Sequence, residues 1–220
     1  ICFSKRAAGD FTKSNIKLTK YSKNTDKKVA IIGSGVAGLT SARELFRYGH
    51  KVDIFEKHKT PGGMLNQGIP IFRLPRKIIE REIEQILSLG IKLHLNKNIS
   101  TFKQLNELAS NYDAVVLAMG TLEANKINKQ FSMCEQVEDG LDFLLRTNEY
   151  NSKTIGDNVV IIGGGYTSMD CARTALRLGA KSVRTFYRRT RGDLVILPGE
   201  LEELRKEHGV MKFNARPNKI

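Results

Sequence analysis

Two glycine-rich turns, one in each half of the chain, constrain its fold more than any other feature. The first lies in segment 28–38 (KVAIIGSGVAG) and the second in segment 158–168 (NVVIIGGGYTS). Each follows a β-rich apolar run and opens an amphipathic helix, and in that context the spacing G-x-G-x-x-G indicates a nucleotide-binding βαβ unit. The alternation of strands and helices predicts an α/β fold with two Rossmann-like nucleotide-binding units, built on parallel sheets with helices on both faces.

The same alternation divides the chain into four parts. Residues 1–27 form a basic arm or the tail of an upstream domain, 28–120 the first nucleotide-binding domain, 121–157 a connection, and 158–220 a second, incomplete nucleotide-binding domain. The loop 60–75 is too rich in glycine and proline to be predicted as regular structure. Helices are predicted near 36–48, 78–90, 102–110, 138–146 and 198–207, in addition to the helix after the second turn.

Composition narrows the classes of function. The chain has 220 residues and a net charge of +13, a charge that nucleic-acid-binding proteins often have. However, its Lys residues are mixed with Glu along the predicted helices, and the sequence contains no cluster of aromatic and basic residues of the kind that binds nucleic acids. No apolar run approaches the roughly 20 residues of a membrane helix. Cys2, Cys134 and Cys171 lie far apart, which predicts no metal or iron–sulfur site in this chain and is typical of a reducing cytoplasm. We expect a cytoplasmic protein without nucleic-acid or membrane partners.

The first turn has the residues that a dinucleotide needs. Gly33 permits the tight reversal, Gly35 lets the main chain approach a pyrophosphate, and Gly38 lets the helix pack on the strand. Ser34 belongs to the same predicted site. Glu56, at the end of the second strand, is placed to accept hydrogen bonds from ribose hydroxyls, so an unphosphorylated ribose, as in FAD or NAD, is favoured.

The second turn has different partner residues. Its matching strand ends in Tyr187, Arg188 and Arg189. Two arginines there can hold a 2′-phosphate by charge-assisted hydrogen bonds, which favours NADP(H) over NAD(H), although they can also simply end a surface strand. Ser168 replaces the third glycine, and the bulky Tyr166 lies close to the predicted cofactor.

The loop 61–75 has no nucleotide fingerprint. Gly62, Gly63 and Gly68 allow a close backbone approach to a flat ring, and Arg73 can supply a cation near it. A glycine-rich surface loop is the alternative.

These segments resemble one group of flavoproteins, which includes the small (β) subunit of NADPH-dependent glutamate synthase and the flavin/NADPH portion of dihydropyrimidine dehydrogenase. The resemblance extends over about residues 28–220. It is carried by the first turn with Glu56, the stretch 61–75 (PGGMLNQGIPIFRLP), and segment 163–170 (GGGYTSMD) with 187–189 (YRR). The G-I-P-x-F-R-L-P part is its most specific motif.

The resemblance implies that the first domain binds FAD and the second NADPH. Residues implied around FAD are Gly33, Gly35, Gly38, Glu56, Gly63, Met64, Gly68, Arg73, Ile99 near the adenine and Gly120 near the pyrophosphate. Residues implied around NADPH are Gly163, Gly165, Thr167, Arg188 and Arg189, with Tyr166 where relatives usually carry Asn or Asp.

By the same resemblance, the protein is expected to transfer a hydride from NADPH to FAD and then single electrons to a large subunit or another iron–sulfur protein. The clusters are expected on that partner or on a missing domain. No side chain is needed as nucleophile or general base, so no catalytic residue and no metal ligand are predicted.

Two alternatives to this function stay open. One is the electron-input subunit of a dihydropyrimidine dehydrogenase. The other is a truncated, non-catalytic remnant, which is favoured by Tyr166 and by the end of the chain at Ile220, before the C-terminal flavin-domain segment that the family normally carries.

Overall fold

The computed structural model describes residues 2–11, 20–121, 134–150 and 152–218, which contain two separate parallel sheets. The strands of the first sheet are β1 (Lys28–Ile32), β2 (Lys51–Phe55), β3 (Lys92–His94) and β4 (Ala114–Leu117). The strands of the second are β5 (Asn158–Ile162), β6 (Ser182–Phe186) and β7 (Val210–Lys212). The predicted α/β fold with two Rossmann-like units is confirmed.

Helices connect the strands within each unit. Those of the first unit are α2 (Val36–Arg47), α3 (Met64–Gln67), α4 (Arg76–Leu87) and α5 (Phe102–Ala109), and α1 (Cys2–Phe11) precedes them. Those of the second unit are α6 (Gly140–Asn148), α7 (Tyr166–Arg177) and α8 (Pro198–Lys206). Among the described residues, none of these helices combines the length and the apolar character that crossing a membrane requires.

The strand order of the first sheet, β3-β2-β1-β4, determines where a ligand can bind. The chain moves outward from β1 to β2 and β3 and then returns to the other side of β1 with β4. In open α/β sheets, ligands bind at the carboxyl ends of the strands where the order reverses in this way, here between β1 and β4. The core beneath this crevice is formed by Ile31, Leu39, Ala42, Val52, Ile54, Ile79, Ile83 and Ile91.

The second sheet has the order β5-β6-β7, and its core includes a helix from the predicted connection. Phe143 and Leu144 of α6 are buried against residues of α7, including Met169 and Ala172. The segment 121–157, predicted as a connection, therefore contributes α6 to the second unit. Its residues 122–133 and 151 lie outside the described part of the chain.

Two helices form where the sequence predicted none. In the loop 60–75, the single turn α3 is closed by hydrogen bonds from the amides of Gln67 to Gly63 O (2.9 Å) and of Gly68 to Met64 O (3.0 Å). In the basic arm, α1 carries an Arg6–Asp10 pair at i,i+4, an arrangement that supports a helix locally. Residues 4–11 of this helix are exposed, so the local sequence rather than tertiary packing supports it.

Cys171, which lies on α7 in the second core, is expected to resist thiol reagents. Burial raises the pKa of its thiol to about 12, and only the thiolate is a nucleophile. Half-buried Cys134 should be alkylated by iodoacetamide in the native protein at pH 8, whereas Cys171 should react about 100-fold or more slowly until urea unfolds the chain. Peptide mapping by mass spectrometry measures both; equal native labelling would contradict the buried position of α7.

Candidate nucleotide-binding sites

The first turn is held by close backbone contacts that admit only glycine. Gly33 has a φ of 103°, and a Cβ added there would lie 2.3 Å from the carbonyl oxygen of Ala118, just after β4. A Cβ added to Gly38, on the first turn of α2, would lie 1.9 Å from the carbonyl oxygen of Gly33. These contacts bring the turn, the helix and the end of β4 together at the crevice between β1 and β4.

The start of α2, which follows the first turn, has no side-chain cap. Its N-cap is Gly35, which offers no side-chain hydrogen bond to the first helical turn. Backbone amides at an uncapped helix N-terminus, together with the positive end of the helix dipole, are suited to bind a phosphate.

Glu56 lies beside the turn with a buried carboxylate. Its Oε2 accepts hydrogen bonds from the backbone amide (2.8 Å) and hydroxyl (2.6 Å) of Ser34, and its Oε1 accepts one from the amide of His58 (2.9 Å). An ionised carboxylate has about four acceptor sites, so one is left for a further donor. Ser34 therefore has a defined role: it fixes the orientation of the acid.

The glycine-rich loop packs directly on the first turn. A Cβ added to Gly63 would lie 2.9 Å from Gly35 Cα, and the amide of Gly62 donates to Ser34 O at 3.0 Å. The side chain of Met64 closes over Gly68, where an added Cβ would lie 2.0 Å from its methyl carbon. The structure thus brings the loop and the first turn into one site.

The two remaining residues of the first predicted set lie after strand ends. Gly120 follows β4, and no atom of the described residues lies within 4 Å of a Cβ added there. Ile99 is half-buried between β3 and α5. Their proximity to adenine and pyrophosphate stays a prediction.

The second turn makes the same backbone hydrogen bond to its sheet as the first. The amide of Gly163 donates to Phe186 O at 3.0 Å, just as the amide of Gly33 donates to Phe55 O at 2.8 Å. The residues that follow β6 are therefore brought beside the second turn, as Glu56 is brought beside the first. The sequence analysis missed the role of Gly164: a Cβ there would lie 2.4 Å from the ring of Tyr187.

Ser168 fits because the second turn is wider. Ser168 carries a side chain at the position equivalent to Gly38, where an added Cβ would lie 1.9 Å from Gly33 O, and Gly163 has a φ of 147° where Gly33 has 103°. The Ser168 hydroxyl donates to Gly165 O at 2.7 Å. Gly165 itself is the N-cap of α7, without a side-chain cap and without a neighbour near its Cβ position.

Tyr166, at the first position of α7, is anchored by α8. Its hydroxyl accepts a hydrogen bond from the amide of Leu197 (3.2 Å), next to the start of α8, and its side chain is partly exposed. The neighbouring Thr167 is exposed, with its methyl carbon 3.3 Å from a Cβ added to Gly140 of α6. The bulk of Tyr166 is thus accommodated by a defined contact between α7 and α8.

Arg188 and Arg189 are both exposed immediately after β6. Among the residues that the structure describes, no salt bridge engages either guanidinium, although Asp193 lies in the electrostatic vicinity of Arg189. Their position beside the second turn leaves both side chains accessible to an anionic ligand.

Arg73 is paired with the second unit. Its Nη1 and Nη2 each donate to Glu200 at 2.6 Å, and its Nε donates to Asp170. The sequence analysis predicted this cation beside a flavin ring, whereas the structure neutralises it with two carboxylates that lie 97 and 127 residues further along the chain. No sequence pattern reveals a pairing of that separation.

The two carboxylates around Arg73 are expected to contribute unequally to stability. The hydrogen bonds from Arg73 lower the pKa of Glu200 below its ordinary value, while burial raises the pKa of Asp170. Ionised Glu200 therefore stabilises the fold above its unfolded pKa of 4.5, and this contribution is lost as the pH falls through the lower folded pKa. The raised pKa of Asp170 has the opposite effect on stability: folding disfavours its ionised form, so its ionisation at higher pH lowers the free energy of unfolding.

At pH 7, Glu200→Gln should lower the free energy of unfolding by about 1–3 kcal/mol, and Asp170→Asn should lower it by less. The difference in the free energy of unfolding between wild type and Glu200→Gln should become smaller when the pH is below the ordinary pKa of Glu200. Urea unfolding at pH 7 and pH 3 measures both effects. A larger loss for Asp170→Asn than for Glu200→Gln would contradict this ranking.

Two curated proteins and one solved structure with similarity to this chain are nucleotide-dependent enzymes or reductases by name. The small chain of NADPH glutamate synthase from Escherichia coli is 38% identical over 213 residues, which cover 89% of this chain and 44% of that protein. The beta subunit of NADP(+)-dependent formate dehydrogenase from Moorella thermoacetica is 37% identical over 201 residues, or 88% of this chain and 28% of that protein. A solved 2-naphthoyl-CoA reductase complex matches with a TM-score of 0.75 and 25% identity over 93% of this chain and 30% of its own.

The chain spans less than half the length of both of these curated relatives. The family model for pyridine nucleotide-disulphide oxidoreductases matches residues 27–210, which include both turns, the glycine-rich loop and the strands β1 to β6. This chain therefore belongs to the pyridine nucleotide-disulphide oxidoreductase family.

Proposed function

We propose that this chain is the FAD- and NADPH-binding part of an oxidoreductase of the glutamate synthase small-chain type. One observation carries the proposal: in both units the first glycine of the turn donates its amide to the last residue of the neighbouring strand, but the acid Glu56 follows β2 whereas the exposed Arg188 and Arg189 follow β6. An acid favours an unphosphorylated ribose and repels a 2′-phosphate, whereas arginines bind that phosphate. The two sites are thus suited to chemically different dinucleotides.

The first site is assigned to FAD. Uncapped amides at the start of α2 would hold its pyrophosphate, and the remaining acceptor site of Glu56 would take a ribose hydroxyl. Gly63, Met64 and Gly68 would lie along the ring because their loop packs on Gly35. Arg73 is left out of this set, since its guanidinium is already paired.

The second site is assigned to NADPH. The uncapped start of α7 with Gly163, Gly165 and Thr167 would hold the pyrophosphate, and Arg188 and Arg189 would hold the 2′-phosphate. When bound, the two cofactors supply the hydride and electron transfer chemistry, and the protein contributes binding and orientation.

We further propose that the electrons leave to an iron–sulfur protein or a larger subunit. The names of both curated relatives support a larger assembly, because one is a small chain and the other a beta subunit. The cytoplasm is the proposed location.

The purified chain mixed with FAD tests the function. We expect bound flavin with its visible absorbance retained after gel filtration, and anaerobic bleaching by NADPH that NADH does not match at the same concentration. A chain that takes up no FAD would overturn the proposal. A chain that binds nucleotide without bleaching would support the alternative of a non-catalytic remnant.

A further inference from the structure

In segment 70–75, Leu74 packs against the core of the first unit, whereas Phe72 and Arg73 contact α7 and α8 of the second. We call the contact of Phe72 and Arg73 with these helices the inter-unit clasp. Only 21% of the Arg73 side chain is exposed, and its three hydrogen bonds to Asp170 and Glu200 fix the planar guanidinium in one orientation. A charge this far removed from water is tolerated only with such partners.

Phe72 strengthens the clasp from the same segment. Its ring lies 4.8 Å from the guanidinium carbon of Arg173 and 4.3 Å from that of Arg177, both on α7, within the range of cation–π attraction. Both arginines are in turn held by Glu207, at 2.7 Å. Phe72 therefore packs against a surface that α8 already keeps in place.

A second contact between the units lies at the end of α6. Asn148 donates to Gln67 O at 3.0 Å, and Glu149, whose side chain is 1% exposed, places its Oε2 2.8 Å from His58 Nδ1. His58 also donates its amide to Glu56, so this contact reaches the first turn directly. Two contacts made by different helices restrict rotation of one unit against the other more than either does alone.

Both ends of the clasp lie close to a nucleotide-binding turn. On the first unit, Arg73 follows the loop that packs on Gly35. On the second, Asp170 lies one helical turn after Tyr166, at the start of α7, and the Arg73 guanidinium lies 5.9 Å from the Tyr166 ring. The contacts of Arg73 with Asp170 and Tyr166 thus connect the glycine-rich loop of the first site with the start of α7 in the second.

We propose that the clasp fixes the distance and orientation between the two nucleotide-binding turns, with Arg73 as the positioning residue. This inference rests on the proposed function, because hydride transfer requires reacting atoms about 3–3.5 Å apart and a misplacement of about 1 Å costs on the order of 100-fold in rate. Arg73 acts through Asp170 and Glu200 and is assigned no contact with either nucleotide.

The first test measures the geometry without any cofactor. Spin labels are attached at Lys103→Cys on α5 and Lys181→Cys before β6, in a chain with Cys2 and Cys134 replaced by serine. Pulsed electron paramagnetic resonance then measures the distance between the two units. We expect one narrow distance distribution in this chain and after the control change Arg43→Ala, since the half-buried Arg43 pairs, among the described residues, with Glu44 of its own helix α2. Arg73→Ala should broaden or shift it. An unchanged distribution would overturn the proposal.

The second test separates positioning from binding. With FAD bound, single-turnover reduction by NADPH should slow about 100-fold in Arg73→Ala, while the dissociation constants of FAD and NADPH change less than about threefold. Arg73→Lys, which keeps the charge but lacks the planar fork, should be intermediate. Glu200→Gln removes one partner of Arg73 and leaves Arg73 itself in place. This variant should also be reduced more slowly than the wild type.

The outcomes distinguish the two proposals. A wild-type chain that is not reduced by NADPH overturns the proposed function, whereas the label distances still decide whether the clasp orients the units. A weaker NADPH affinity in Arg73→Ala with an unchanged rate at saturation would make Arg73 a binding residue and overturn the positioning role.

Discussion

Replacing both Arg188 and Arg189 with alanine is expected to weaken NADPH binding by about 100-fold and to leave NADH binding nearly unchanged. The two guanidiniums are exposed beside the second turn, and a charge-assisted hydrogen bond to a phosphate contributes about 1.5–3 kcal/mol. NADH lacks the 2′-phosphate, so it loses none of these bonds. Because neither side chain is part of the buried core, the variant should unfold at the same urea concentration as the wild type.

Arg184→Ala is the matched control. Arg184 is exposed on β6 but lies before the end of the strand, away from the second turn. Calorimetric titration with NADPH, NADH and 2′,5′-ADP should show the loss only for the two ligands that carry a 2′-phosphate. Equal losses for NADH, or an equal loss in Arg184→Ala, would mean that general positive charge rather than a phosphate contact drives binding.

The regular elements and the two turns were predictable because their signals are local. An apolar run before a glycine turn and an amphipathic run after it are enough to predict β1 with α2 and β5 with α7. Glu56 was predictable as well, since the length of a βαβ unit fixes where the second strand ends. The single turn α3 was not, because it is closed by backbone hydrogen bonds in a segment whose glycine content indicates a loop.

The partners of Arg73 and of His58 could not be predicted, for a different physical reason. Asp170, Glu200 and Glu149 belong to the second unit, and each is an ordinary helix carboxylate in the sequence. Only the packing of the two units removes these groups from water and gives each a partner. The sequence interpretation of the motif G-I-P-x-F-R-L-P as a ligand-binding segment therefore did not include the contacts of Phe72 and Arg73 with the second unit.

Gly38→Ala is expected to abolish measurable FAD binding and to lower the free energy of unfolding by about 1–3 kcal/mol. The new Cβ would lie 1.9 Å from Gly33 O and 3.0 Å from Gly33 C, both backbone atoms that no rotamer change can move. The start of α2 must then shift away from the turn, which displaces the uncapped amides assigned to the pyrophosphate. Urea unfolding and FAD titration monitored by flavin fluorescence measure the two effects.

Ser168→Ala supplies the control for this change, because it places the same side chain at the equivalent position of the second turn. That turn is already wide enough for a Cβ, so only the hydrogen bond to Gly165 O is lost, at a cost of about 1 kcal/mol. Ser168→Ala should retain FAD binding. If Gly38→Ala has the same free energy of unfolding and the same FAD affinity as the wild type, the close contact between helix and turn is not what shapes the first site.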